Sequence, residues 1–187
     1  MKDGPSEAPL EHALLGILAH RPLHGYDLYR EMTRPSGLGL IWSVKQAQLY
    51  GMLARLERDG LIDAEVVVGG TRPARRVFHL TPAGRRAYRA WVTTPSQRRD
   101  FRLVFLAKLL FAREEGTDAD LIERQRALCQ GWLDDMRDRG SSAAGGSLDD
   151  LVYRYRIGQL EAMRAWLDTC AASPRAKIGA QRKRETS

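Results

Sequence analysis

Apolar residues recur along this chain at two periods, and the change from one to the other marks out its elements. Leu10, Leu14, Leu15, Ile17 and Leu18 keep the helical spacing over 9–20, behind Pro9, a residue suited to a first helical position. Arg21-Pro22 ends that helix, and a second is expected over 24–33, with Tyr26, Leu28, Tyr29 and Met32 as its apolar content. The breaker run Arg34-Pro35-Ser36-Gly37-Leu38-Gly39 follows. Leu49, Met52, Leu53 and Leu56 then fall at i, i+3, i+4 and i+7, which predicts a helix over 42–60 with Ser43 as N-cap and Gly60 as the stop. Its opposite face carries Ala47, Gly51 and Ala54, flanked by Gln48, Arg55 and Tyr50, and so can approach another surface closely. After Leu61 the period becomes two: Val66 and Val68 share one face, Asp63 and Glu65 the other. Gly69-Gly70-Thr71-Arg72-Pro73 then turns the chain back through Arg75 to Leu80, a β-hairpin. Thr81-Pro82 opens a further helix, running past Tyr88 and Trp91 to a break at Thr94-Pro95-Ser96, the expected domain boundary.

The second half is helical throughout. Between Asp100 and Arg113 nearly every position is apolar, so this helix needs cover on several sides, and a partner is expected to supply part of it. Thr117-Asp118 caps the next helix, striped by Leu121, Ile122, Leu128, Cys129, Trp132, Leu133 and Met136, before a low-complexity loop at 140–147 expected to be flexible. The last helix, 148–171, places Val152, Tyr155, Gln159, Met163, Trp166 and Cys170 at steps of three or four, the seam of a coiled-coil-like pairing. The two long helices are expected to form an antiparallel hairpin. The fold class is therefore mainly α: an N-terminal winged helix-turn-helix, three helices plus a two-stranded β-wing, followed by a helical C-terminal dimerisation domain. Domains are expected at 1–94 and 95–173, with a basic disordered tail over 174–187.

Charge sharpens this picture. The 187 residues are 43% hydrophobic and 28% charged, an ordinary globular balance, with a net charge of +7. Residues 1–94 carry net +4, residues 95–174 net −1 and the last 13 net +4. Arg72, Arg75, Arg76, Arg85, Arg86 and Arg89 face a single acid, Glu65, between Ala64 and Arg89, a cluster suited to phosphate. The longest apolar run, 101–112, is broken by Arg102 and Lys108 and is too short for a bilayer, so a cytoplasmic protein is expected. Cys129 and Cys170 are expected to be buried reduced thiols. The histidines show no ligand spacing, so neither metal nor cofactor is expected. No phosphate-cradling glycine loop, nucleophile elbow or paired carboxylate suggests an enzyme.

Three stretches, LLGILAHRPLHGYDLYREM, WSVKQAQLYGMLARLERDGLI and RPARRVFHLTPAGRRA, resemble the PadR family of bacterial transcriptional regulators over roughly Leu10 to Trp91. Their most specific pieces are Pro22-Leu23-His24-Gly25-Tyr26, Gln48-Leu49-Tyr50 and Leu80-Thr81-Pro82-Ala83-Gly84. Gly51 departs from the pattern, since family members commonly carry proline there. The C-terminal helices resemble, less specifically, the domain that one PadR subfamily shares with virulence-gene activators.

The resemblance implies a homodimeric repressor that binds a pseudo-palindromic operator in double-stranded DNA and is released by a small hydrophobic or aromatic ligand. Lys45, Gln46, Gln48 and Tyr50 are the groove-facing candidates, with Arg55, Arg72, Arg75 and Arg76 towards phosphate. His24, Tyr26 and Ser43 complete the DNA-contact set. Tyr50 has a second reading, packing on the base of the wing, and Arg85, Arg86 and Arg89 a second reading as a solvated helix face. Phe101, Phe105, Leu109, Val152, Tyr155, Met163 and Trp166 are the candidate dimer contacts. Trp91, Phe105 and Trp132 are candidates for an effector pocket, with core packing as the alternative. The competing functional class is a winged-helix scaffold for protein or RNA without sequence-specific DNA binding.

Overall fold

Ala13, Leu14, Leu15, Gly16, Ile17 and Leu18 form a nearly continuous apolar stretch, and in the computed structural model all are buried in helix α1, Pro9–His20. The structure describes residues 9–69 and 72–173, without the side chains of 68–69 and 72–74. The hairpin tip Gly70-Thr71 and the basic tail 174–187 lie outside the described residues. Gly16 lets α1 come close to its neighbours: an added Cβ would stand 2.7 Å from Cζ of Phe111 and 2.9 Å from Cε2 of Tyr88.

The helix-turn-helix follows as α2, Gly25–Thr33, and α3, Gln46–Arg58, with a short 3-10 turn at Gly37–Leu40 between them. The turn residue Leu38 is buried. The start of α3 differs from expectation. Ser43 is exposed and lies ahead of the helix, and the N-cap is Lys45, extended at φ −83° and ψ 147° without a side-chain capping bond. Val44 explains the shift. It is buried, and seating its side chain in the core keeps residues 42–45 out of the helix. The C-terminus obeys the glycine rule: Gly60 takes φ +68°, and the Leu61 and Gly60 amides donate to the carbonyls of Leu56 and Glu57.

Strands β2, Ile62–Gly69, and β3, Arg72–Leu80, pair antiparallel, with Ile62 opposite Leu80 and Ala64 opposite Phe78. A third strand extends the expected two-stranded wing. Leu23–His24, labelled β1, pairs with β3 opposite Phe78 and Val77, giving the order β1-β3-β2. Leu23 is buried, and its side chain ties this short strand down. Helix α4, Pro82–Thr93, opens as expected: the Thr81 hydroxyl accepts from the Gly84 amide at 3.0 Å.

The described residues divide into two compact units, one running up to Thr94 and adding Asp100–Phe111, the other comprising Pro95–Arg99 and the described residues from Ala112 onward. The break at Thr94-Pro95 is thus crossed by an apolar segment that rejoins the first unit. That segment is a π-turn, Phe101–Phe105, leading into α5, Leu106–Glu115. In the first unit Phe111 meets Tyr88 and Trp91 edge-on, and Lys108, buried, donates from Nζ to the Thr94 carbonyl at 2.9 Å and lies over the Trp91 ring. Phe101, Phe105 and Leu109 are covered within the single chain. The sequence suggested a partner as part of their cover; for these three residues the chain itself supplies it, while Leu103 on the same segment is exposed.

The second unit is built on α6, Asp118–Gly140, and α7, Leu148–Ala172. Arg137 pairs with Glu161 (2.8 Å), Gln130 with Arg164 (2.6 Å) and Arg126 with Asp168 (2.7 Å), so numbers fall on one helix as they rise on the other. The hairpin is antiparallel. Leu133, Met136 and Leu160 form its core, with Trp132, Tyr153, Ile157 and Met163 packed against them. The seam on α7 is thus displaced from the expected one. Met163 belongs to the inner stripe, whereas Val152, Tyr155 and Trp166 share an outer stripe with Leu148 and Leu151. Steps of three and four fit two neighbouring stripes equally well, and only the partner helix distinguishes them.

Gln125, fully buried, clamps Ser96 at two points: its Oε1 accepts from the Ser96 amide (2.7 Å) and its Nε2 donates to the Ser96 carbonyl (3.0 Å). Gln125→Leu leaves both backbone groups buried and unpaired, so a loss of about 2 kcal/mol or more is expected in urea unfolding. An unshifted midpoint would mean that water replaces the clamp. Beside it, burial pushes the Cys129 thiol up, partly offset by a hydrogen bond from Gln125, and burial likewise raises Cys170, partly offset by Arg113. Both cysteines stay protonated and poorly nucleophilic near neutral pH.

Candidate nucleic-acid interface

Helix α3 divides cleanly by chemistry. Leu49, Met52, Leu53 and Leu56 are buried, and Lys45, Gln46, Ala47, Gln48, Tyr50, Ala54 and Arg55 are exposed. Gly51 lies on the outer side: a Cβ there would meet only Nη1 of Arg55, at 3.9 Å. No neighbour inside the protein requires that glycine, which leaves a smooth strip of three small residues between Gln48 and Tyr50.

Tyr50 settles between the two readings given to it. Its ring lies against the start of α2, where a Cβ on Gly25 would stand 2.8 Å from Cε1 and 3.1 Å from the hydroxyl oxygen, while 43% of the residue remains exposed. The tyrosine is thus seated against α2, with part of the residue open to solvent. Gly25 is what permits this approach. Around the ring runs a groove of about 490 Å³, lined by His24, Gly25, Tyr26, Asp27, Tyr50, Arg75, Arg76 and Phe78.

The groove brings together residues that are far apart in sequence. His24 is the N-cap residue of α2 and pairs through Nδ1 with the Arg76 carbonyl at 3.3 Å, so its ring stitches α2 to β3. No side chain caps α2, which leaves its first amides free of a side-chain acceptor at the groove. Tyr26 is exposed beside them. Arg75 is exposed and makes no ion pair with any described residue. Amides, phenols and a free guanidinium along one groove suit an extended anion such as a phosphodiester chain.

Two of the candidate arginines are committed within the protein. Arg55 holds Glu11 of α1 through Nε (2.7 Å) and Nη2 (2.6 Å), and Arg76 holds Glu57 of α3 at 2.5 Å while lying over the Phe78 ring. They are braces first. Half-exposed pairs of this kind contribute at most about 1 kcal/mol, so they orient the guanidinium groups without removing them from reach of an anion. Arg72 begins β3, but its side chain lies outside the described residues. Glu11 and Glu57, which aim these arginines, are site residues that the sequence did not single out; each partner is 19 or more positions away, beyond any local pattern.

The candidate pocket residues do not line an open space of this kind. Trp91 is buried, stacked on His12 at 5.5 Å, and Phe105 is buried against Phe101. Trp132 packs in the core of the second unit. These aromatics build cores.

Residues 14–90 match the profile of the Transcriptional regulator PadR-like family. The chain is 31% identical over 83 residues to the negative transcriptional regulator PadR of Bacillus subtilis, covering 44% of each protein. It is 40% identical over 74 residues to the transcriptional regulator Rv3488 of Mycobacterium tuberculosis, covering 40% of this chain and 64% of that one. The matched segment thus spans less than two thirds of either relative. Among solved structures, Bacillus subtilis PadR in complex with operator DNA is similar with a TM-score of 0.43 at 24% identity, covering 89% of this chain and 100% of that one.

Proposed function

We propose, from the match of residues 14–90 to the PadR-like transcriptional-regulator family and the likeness to the Bacillus relative, that the protein is a regulator of this kind, which binds specific duplex DNA as a homodimer, on a pseudo-palindromic site, to repress transcription. The observation that carries this is the outer face of α3: Gln46, Gln48 and Tyr50 surround a strip of small residues, Ala47, Gly51 and Ala54, and Tyr50 shares a groove with Arg75, which has no ion pair among the described residues. Glutamine and tyrosine can read base edges in the major groove, and Arg75 can neutralise a phosphate. The name of the Bacillus relative, a negative regulator, supports repression over activation. A small hydrophobic or aromatic effector remains part of the proposal, but it would have to open the packing around Trp91 or Trp132 to enter.

Two variants test the division of labour. Arg75→Ala is expected to weaken operator and random DNA alike and to reduce the salt slope by about 1. Gln48→Ala is expected to cost on the order of 1 to 3 kcal/mol on the operator alone, relaxing preference at one symmetric pair of positions. Fluorescence anisotropy against salt separates them. If Gln48→Ala binds the operator unaltered while Arg75→Ala changes base preference, α3 is not the reader. A scaffold for protein or RNA predicts no gap between operator and random DNA for the wild type.

A further inference from the structure

Arg85, Arg86 and Arg89 stand together on the exposed side of α4, a helix without a single acidic residue. None of the three makes an ion pair or side-chain hydrogen bond with a described residue. Several helical arginines of the second unit have an acid within three or four residues: Arg124 pairs with Asp120, Arg126 with Glu123, Arg139 with Asp135 and Arg154 with Asp150. On α4 the charges instead repel one another across one turn, and Arg85 and Arg86 sit towards the positive end of the helix dipole. Folding alone disfavours this arrangement.

The three arginines rim a depression of about 410 Å³ floored by Leu80 and Pro82. Leu80 is two positions beyond Phe78 on β3, on the same face of the strand, and Phe78 closes the groove beside Tyr50. By the same alternation Arg76 stands on the Phe78 and Leu80 side of β3, so one strand contributes residues to both depressions. Arg85 and Arg89 are offset by about 6 Å along the helix axis, comparable to the separation of neighbouring phosphates on one DNA strand.

We propose that Arg85, Arg86 and Arg89 form a second phosphodiester-binding surface, which holds the backbone of DNA flanking the site read by α3. The guanidinium groups take phosphate oxygens, and Leu80 and Pro82 receive the apolar side of the sugars. The proposal rests on the DNA-binding function above and concerns a different stretch of the duplex.

The test uses one selected binding site in two duplexes, the site alone and the site with one further helical turn, roughly 10 bp, on each side. Salt titrations compare the wild-type protein with the triple variant R85A/R86A/R89A. On the longer duplex the variant is expected to lose about 3 from the salt slope, near 0.9 per phosphate, and at least about tenfold in affinity at low salt. On the short duplex it should match the wild type. Melting checks the fold: removing three like charges should leave Tm unchanged or higher, and the R85K/R86K/R89K variant, which keeps the charge, should keep most of the slope. A wild-type slope on the longer duplex from a variant that still binds the shorter one overturns the proposal and points to an acidic protein segment as the occupant. If the wild type binds neither duplex better than random DNA, the premise itself fails and the proposal with it.

Discussion

Gly84→Ala should destabilise the first unit by more than about 3 kcal/mol, although alanine is the better helix former by about 1 kcal/mol. The alanine Cβ would stand 2.0 Å from the Leu61 carbonyl oxygen and 2.8 Å from Cδ1 of Leu80. The first of these cannot swing aside. The Leu61 carbonyl already accepts from the Thr81 amide (3.2 Å) and the Thr81 hydroxyl (3.0 Å), so moving it breaks the junction that joins the end of α3, the root of the wing and the start of α4. Tm is expected to fall by on the order of 10 °C in a domain of this size. Gly51→Ala is the matched control, since its Cβ makes only an ordinary contact with the flexible Arg55 side chain, at 3.9 Å, and the helix should gain about 1 kcal/mol. If both variants melt above the wild type, the close approach at Gly84 is not real.

Gly84 and Gly51 also show where the sequence was legible and where it was not. Both glycines lie inside helical patterns, and nothing local separates the one under a carbonyl from the one facing solvent. The elements themselves were readable, because the stripe Leu49, Met52, Leu53 and Leu56 and the Thr81-Pro82 cap are written in neighbouring residues. The start of α3 departs from its local pattern for a tertiary reason: the burial of Val44 outweighs a serviceable capping serine at Ser43. The third strand went unseen because two residues carry no period. The site was half legible. Exposed polar residues on α3 could be named from the wheel, but the seat of Tyr50 on Gly25 and the braces Arg55–Glu11 and Arg76–Glu57 depend on pairings set by the fold.

The double substitution Tyr155→Glu and Trp166→Glu should convert the protein to a monomer and lower its affinity for a two-fold operator by about 100-fold or more, the loss expected when two linked half-site contacts become independent. Leu148, Leu151, Val152, Tyr155 and Trp166 fall within one side of α7 at helical spacing, and all are exposed. The opposite side of the same helix is already satisfied by α6 through Tyr153, Ile157, Leu160 and Met163. A helix that is apolar on two sides, with only one covered by its own hairpin, is suited to a second copy of the chain, and a two-fold axis would bring the same stripe from each protomer together. Because neither substituted residue lies in the hairpin core, the monomer should keep its helical content and melt cooperatively. Leu160→Ala provides the contrast. That residue is buried between the helices, so its truncation should cost about 2–5 kcal/mol of stability whatever the state of association. Sedimentation at micromolar concentration reads the first effect and thermal melting the second. A Tyr155→Glu/Trp166→Glu protein that still sediments as a dimer and holds the operator undiminished would sink the assignment of this stripe to the dimer.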